Sequence, residues 1–242
     1  MRDNLRSAFE SKVWGKGRNG IPRSGAGSTL RMTQPLRDAL PRIFEQYQIK
    51  SFLDAPCGDW FWMQHVDLSG LTYIGGDISK EVVDANIAQF SKPGVTFQHL
   101  DITGDTLPSA DLMLCRDCLM HLRNPLRWAF FENFAASDSR YLLTTAHHVL
   151  RNVRVPENGK FRHFNPMAAP FNLPQALELI PETSETLPDD VLQNRAAAGK
   201  QRSVGLWSKD QIIAALANRE AKQAKGEAET ADTEADDTSS DE

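Results

Sequence analysis

The sequence predicts an α/β protein with a Rossmann-like, doubly wound, mostly parallel sheet. Three observations predict it. Short apolar runs alternate with amphipathic stretches between residues 36 and 147, the signature of βαβ units. Successive runs end in an acid, at Asp54, Asp77, Asp101 and Asp117, and right-handed crossovers bring all those ends to one sheet edge. The chain has 242 residues, 40% hydrophobic and 24% charged, enough for one well-buried α/β core.

Residues 1–32 are basic and Gly-rich and read as an arm. Within it, Ser24-Gly-Ala-Gly-Ser-Thr29 is a flexible loop with many backbone donors, either a plain surface arm or a flap over an anionic group. Thr33 is the expected cap of a helix with Pro35 in its first turn. Leu36, Leu40, Ile43, Phe44 and Tyr47 form its inner face, and Pro41 is expected to bend or restart it. Phe52 to Asp54 is a buried strand. A Pro56-Cys57-Gly58 turn follows, and Asp59 is expected to cap a helix over residues 60–66.

Leu71 to Asp77 is a second strand. Ser79 caps a helix whose inner face is Val82, Val83, Ile87 and Phe90. Pro93-Gly94 turns the chain into a third strand, Val95 to Asp101, with apolar and polar residues alternating. A fourth strand spans Ala110 to Asp117. A helix from Pro125 to Ala136 turns Leu126, Ala129, Phe130 and Phe134 inward, and a fifth strand runs from Arg140 to His147. The pattern then stops from Leu150 to Pro174, an aromatic- and Asn-rich stretch too long for a plain connection. Leu177–Ile180 and Ser203–Trp207 read as further strands, with an acidic helix-like piece at Leu187–Arg195 between them. A Ser208-capped helix runs to about Asn218. Residues 219–242 read as an acidic disordered tail, leaving 33–218 as the folded domain.

The edge formed by the acids is where such sheets bind ligands. A dinucleotide needs Gly-x-Gly-x-x-Gly, so that a helix N-terminus can meet a pyrophosphate. Here the turn is Ala55-Pro-Cys-Gly-Asp-Trp60, with one glycine and a carboxylate that repels phosphate, which argues against a nicotinamide oxidoreductase. The turn suits a cationic ligand without phosphates, such as S-adenosylmethionine (SAM). Asp54 would fix its amino-acid end, Gly58 would allow close backbone approach, Asp77 would take ribose hydroxyls and Asp101 would accept from the adenine amino group.

At these residues the sequence resembles the class I SAM-dependent methyltransferases, in particular a bacterial subfamily with an Asp-x-Pro-Cys-Gly-Asp turn. The matching pieces are Ser24-Gly-x-Gly-Ser-Thr29, Leu53-Asp-Ala-Pro-Cys-Gly-Asp59, Tyr73-Ile-Gly-Gly-Asp77, Leu100-Asp101, Arg116-Asp117 with His121-Leu122, and Pro170-Phe-Asn-Leu-Pro174. The resemblance covers roughly residues 20–210. It departs from the family where Pro and Cys replace the usual glycines of the first turn, and where the helix after the fifth strand is missing. It implies a seven-stranded sheet with the last strand antiparallel and SAM as cofactor. The contacts it implies are Asp54, Ala55, Pro56, Cys57, Gly58 and Asp59 of the turn, then Asp77, Ile78, Asp101, Ile102 and Arg116.

Methyl transfer from a sulfonium is an in-line displacement in which the protein mainly aligns the partners, and a hydroxyl acceptor also needs a base. The resemblance turns the segment after the fourth strand toward the methyl group. There Asp117 or His121 is the candidate base and Arg116 the candidate holder of an anionic substrate. The alternatives are a turn cap for Asp117 and a packing role for His121. Of His147 and His148, adjacent on a strand, at most one reaches the site. Phe161, Arg162, His163, Phe164 and Phe171 either shape an acceptor pocket or pin their loop to the sheet.

Cys115-x-x-Cys118 lacks the further ligands a zinc site needs, so no metal is expected, and three sparse cysteines point to a reducing compartment. The expected protein is a cytoplasmic methyltransferase acting on a small-molecule or sugar-like acceptor at a hydroxyl, with no membrane partner. A net charge of −5 weighs against nucleic acid. A non-catalytic binding or assembly protein on the same fold is the alternative reading.

Overall fold

A computed structural model describes residues 22–182 and 201–237, with side chains to residue 224. After a 3-10 turn at Ala26–Ser28, helix α1 spans Leu30–Gln46 and leads into strand β1, Ser51–Asp54. Strand β2 (Thr72–Asp77), helix α2 (Lys80–Phe90), strands β3 (Val95–His99) and β4 (Leu112–Cys115), helix α3 (Asn124–Ala136) and strand β5 (Tyr141–His147) follow. Next along the chain come β6 (Glu178–Pro181), β7 (Arg202–Ser208) and helix α4 (Lys209–Asp237).

The seven strands lie in the order β3-β2-β1-β4-β5-β7-β6. Strands β1 to β5 pair in parallel, and β7 runs antiparallel to both β5 and β6. The chain reverses its direction of travel across the sheet between β1 and β4, which opens a crevice at their C-terminal ends.

Alternation along the strands splits the core between the two sheet faces. Phe52, Tyr73, Leu112, Leu114, Leu143 and Leu206 pack with Leu36, Leu40 and Phe44 of α1. Leu53, Met113, Leu142 and Trp207 pack with Phe130, Phe131 and Phe134 of α3 and Ile212 of α4.

Several local expectations are corrected. Helix α1 begins at Leu30, not at a Thr33 cap; Thr33 lies inside it and donates its hydroxyl to the Thr29 carbonyl (3.0 Å). Pro35 and Pro41 are both carried within the helix, held by the buried stripe of Leu36, Leu40 and Ile43. The helix expected over 60–66 is only a 3-10 turn, Met63–His65. Trp60 adopts φ 53°, which stops a helix from starting, and its ring packs on Tyr73, Phe90 and Phe97. In α2 Ser79 does cap, accepting from the Val82 amide, but Ile87 is 46% exposed and Asn86 is buried instead.

Helix α4 has the expected Ser208 cap, with Ser208 and Gln211 bonding reciprocally (3.0 and 3.3 Å). It continues past Asn218 into the stretch expected to be irregular. The helix-like piece at 187–195 lies outside the described residues. No helix among the described residues is long and apolar enough to cross a membrane.

The 150–174 stretch has neither helix nor strand, yet it is firmly tied down. Asn152 and Asn165 bond to each other's segments: the Asn165 amide donates to Asn152 Oδ1 (2.8 Å) and Asn152 Nδ2 to the Asn165 carbonyl (2.9 Å). Phe164 and Phe171 are buried, and the guanidinium of Arg127 stacks over Phe164 at 4.4 Å.

Candidate functional site

The turn after β1 is built by its neighbours. The Cys57 amide donates to the Gly76 carbonyl (2.8 Å), pinning the turn to β2. Gly58 sits at φ 54°, and a Cβ there would lie 3.0 Å from the Ser24 Cβ, so the position needs glycine on both counts. Its amide donates to Asp77 Oδ2 (3.1 Å), and its carbonyl accepts from Asn86 Nδ2 (2.8 Å).

The acids differ in their surroundings. Asp54 is 2% exposed and accepts from the Tyr73 hydroxyl (2.8 Å). Burial pushes its pKa up to about 7, with nearby Asp77 adding to the rise and Tyr73 and Arg116 opposing it. Burial also raises Asp77, against the pull of the amides of Ser79 and Gly58. Asp101 is buried and accepts from the Thr103 amide and hydroxyl (2.9 and 2.7 Å). Asp59 caps no helix; it accepts from the Arg23 amide (2.6 Å) and the Ser24 hydroxyl (2.7 Å), anchoring the glycine-rich loop on the turn.

Asp54, Pro56, Cys57, Gly58, Asp59, Asp77, Ile78, Asp101, Ile102, Arg116 and Asp117 all line one cavity of about 600 Å³ at this edge. Ser24 and Ser28 line it too, so the loop forms one of its walls. Of the cofactor-binding and catalytic candidates, Ala55 and His121 do not line it: Ala55 is fully buried.

Arg116 and Asp117 belong to a closed ring of charges. Arg116 Nε donates to Glu182 Oε1 (2.7 Å), Arg202 Nε meets Glu182 Oε2 (3.1 Å), Arg202 Nη1 donates to Asp117 Oδ1 (2.8 Å), and Asp117 Oδ2 meets Arg116 Nη1 (3.1 Å). Arg116 Nη2 donates to the Gly27 carbonyl (2.8 Å), so all three guanidinium nitrogens of Arg116 are engaged. Asp117 holds φ 54° at the end of β4, with its amide donating to Thr145 Oγ1 (3.0 Å). Although burial opposes it, the guanidinium groups of Arg116 and Arg202 lower the Asp117 pKa.

His121 lies in the 3-10 turn Leu119–His121, between the cavity-lining residues Cys118 and Leu122. Burial lowers its pKa, so the imidazole is neutral at physiological pH. The two histidines that close β5 part ways, as strand alternation requires. His147 turns to the Phe164 carbonyl (Nδ1 at 3.2 Å) and His148 to the Ser203 hydroxyl (Nε2 at 2.9 Å). Neither lines the cavity. Cys57, Cys115 and Cys118 are free and buried, and no metal-binding cluster occurs among the described residues.

Sequence reasoning missed Tyr73, Asn86, Glu182 and Arg202. Each acts through a partner 19 to 85 positions away, and no local pattern marks it.

No family profile matches the sequence, and no curated protein matches it. Solved structures do match the fold. Magnesium protoporphyrin IX methyltransferase (ChlM) from Synechocystis PCC 6803 with bound SAH superposes with a TM-score of 0.53 and 12% identity, over 86% of this chain and 99% of that one. A SAM-dependent methyltransferase from Clostridium acetobutylicum ATCC 824 gives a TM-score of 0.51 and 10% identity, over 72% and 90% of the two chains. The fold is therefore the Rossmann-like fold of SAM-dependent methyltransferases, with the expected antiparallel seventh strand.

Proposed function

We propose that the protein is a SAM-dependent methyltransferase acting on a small-molecule acceptor. One observation carries the reading: a buried carboxyl, Asp54, raised to about 7 by burial in spite of Arg116, faces a cavity of about 600 Å³ at the switch point of the sheet. An ammonium group arriving there favours its charged form. The donor set fits the rest of the ligand. Asp77 and Asp101 line the cavity, and in this reading Asp77 takes the ribose hydroxyls and Asp101 accepts from the adenine amine, while Ile78, Leu100 and Ile102 supply apolar lining. The methyltransferase fold neighbours support the same cofactor.

Bound there, SAM supplies a methyl group already activated on a sulfonium. The chain's own task is alignment and, for a hydroxyl acceptor, removal of a proton. Asp117 is a weak base between its two guanidinium partners; with Arg116 it shapes and charges the wall. His121, a neutral imidazole beside that wall, is the better proton acceptor. A second reading, ligand binding without turnover, draws support from the commitment of both Arg116 and Asp117 to the charge ring.

Calorimetric titration with SAM and S-adenosylhomocysteine tests the cofactor. Wild type should bind in the micromolar range, and Asp77→Ala should weaken binding by about tenfold or more, the worth of a hydrogen bond to a charged group. Absence of binding by the folded wild type would sink the reading. His121→Ala should then keep SAM affinity and lose turnover; unchanged turnover would remove His121 as the base.

A further inference from the structure

We infer that the loop after β5 holds an oxyanion site, built by Arg151 and Arg162, for a phosphate or carboxylate carried by the methyl acceptor. The inference rests on the methyltransferase reading for the word acceptor, but the anion site stands on its own geometry.

Arg116 was the sequence's candidate for holding an anionic substrate. Its three nitrogens already bond Glu182, Asp117 and the Gly27 carbonyl, so a ligand's anion competes for it with two buried or half-buried carboxylates. A second cavity, of about 240 Å³, lies in the 149–163 loop and is lined by Val149, Arg151, Val153, Arg162 and His163. The loop carries Arg151, Arg154, Lys160 and Arg162 against a single acid, Glu157, in a chain whose net charge is −5. No ion pair among the described residues engages any of these four cations. The Arg162 side chain makes one bond, from Nη1 to the carbonyl of its neighbour Phe161 (2.8 Å), which steadies the guanidinium without neutralising it.

The loop is held in place by the 3-10 turn after β4 and by the end of β5. The Gly159 amide donates to the His121 carbonyl (2.9 Å), the Arg162 amide to the Met120 carbonyl (3.1 Å), and the His147 amide to the Phe164 carbonyl (2.8 Å). Two ring contacts connect the recess to His121, which lies between the cavity-lining Cys118 and Leu122: His163 to Phe161 at 5.0 Å, and Phe161 to His121 at 5.8 Å. An acceptor anchored by its anion at Arg151 and Arg162 extends across Phe161 toward His121. Two arginines lining one recess suit phosphate and carboxylate alike. The valines and the 46%-exposed Phe161 give an apolar face to the body that carries the charge.

The test uses the full chain and the Arg151→Ala/Arg162→Ala double variant; both side chains are exposed, so the fold should survive. Inorganic phosphate and acetate, each against sodium chloride at matched ionic strength, are titrated while arginine side-chain NMR signals and thermal melting are followed. Wild type should respond to phosphate or acetate beyond chloride, and whichever binds more tightly identifies the anion. The double variant should bind that anion about tenfold more weakly or worse, with SAM affinity unchanged. An equal response to chloride, or a double variant that matches wild type, overturns the site. Tight binding of a short single-stranded RNA that displaces phosphate also overturns it, in favour of a nucleic-acid face. Loss of SAM binding by wild type, with the phosphate response intact, strikes the methyltransferase reading and leaves the anion site.

Discussion

Asp54 is held in the folded protein at a pKa of about 7, well above the 3.8 of an exposed aspartate. Between those values the unfolded chain ionises while the folded one stays protonated, so the ligand-free protein loses stability as pH rises from about 4 through 7. The loss is on the order of 4 kcal/mol for a shift of that size. Asp54→Asn keeps an acceptor for Tyr73 and removes the titration. We expect the variant to melt several degrees higher than wild type at pH 8 while binding SAM more weakly; a parallel fall in both would show that the carboxyl serves packing alone. A proton should also move on binding. Below pH 7 the incoming ammonium ionises Asp54 and releases a proton. Above about 8, where the free amino group is itself unprotonated, binding takes one up. Calorimetry in buffers of different ionisation enthalpy should therefore show the sign of proton exchange reverse between pH 6 and pH 8.5.

At the scale of the element, the β1 turn and the glycine-rich loop behave as one piece, joined through Asp59 and through the close approach of Gly58 to Ser24. Gly58→Ala adds a Cβ where φ is 54° and Ser24 lies 3.0 Å away. The expected cost is about 1–3 kcal/mol in urea unfolding, with weaker SAM binding because the loop wall shifts. Ser24→Ala, which removes one bond and adds no bulk, should weaken binding by less than Gly58→Ala.

The sequence showed the strands and their acidic ends clearly, because buried parallel strands must be apolar and their C-terminal ends must turn polar. It misled at Asp59, whose side chain serves the distant Ser24 rather than the helix a cap would start. It misled again at Ile87, where Asn86 turns inward to hold the Gly58 carbonyl. Both errors arise where a long-range hydrogen bond outweighs local pattern. The cavity-lining residues were legible for the same reason as the strands: they lie at strand ends. Glu182 and Arg202 were not, since their meaning depends on how β6 and β7 fold back beyond β5.

At the scale of the whole molecule, the ring of Arg116, Glu182, Arg202 and Asp117 binds β4 to the far edge of the sheet and, through the Gly27 carbonyl, to the loop before α1. Two cations and two anions balance, and the side chain of Glu182 is fully buried. Glu182→Gln removes one anion and leaves two buried guanidinium groups facing a single carboxylate. The expected loss is about 3–5 kcal/mol of unfolding free energy. SAM affinity should fall with it, since Arg116 lines the cavity. Melting and titration of the variant check both, and a variant as stable as wild type would show that the ring contributes little.

The same ring bears on how the protein is made. Every acid of the cavity, from Asp54 to Asp117, leaves the ribosome before β6 and β7 exist. Arg116 waits 66 residues for Glu182, and Asp117 waits 85 for Arg202. A nascent chain that has just completed β5 already has the floor of the site but not its charge-balanced wall. The wall of the cavity is charge-balanced only when β7 arrives, so SAM capture during synthesis, on the reading proposed above, reports completion of the whole sheet rather than of the half that carries Asp54, Asp77 and Asp101.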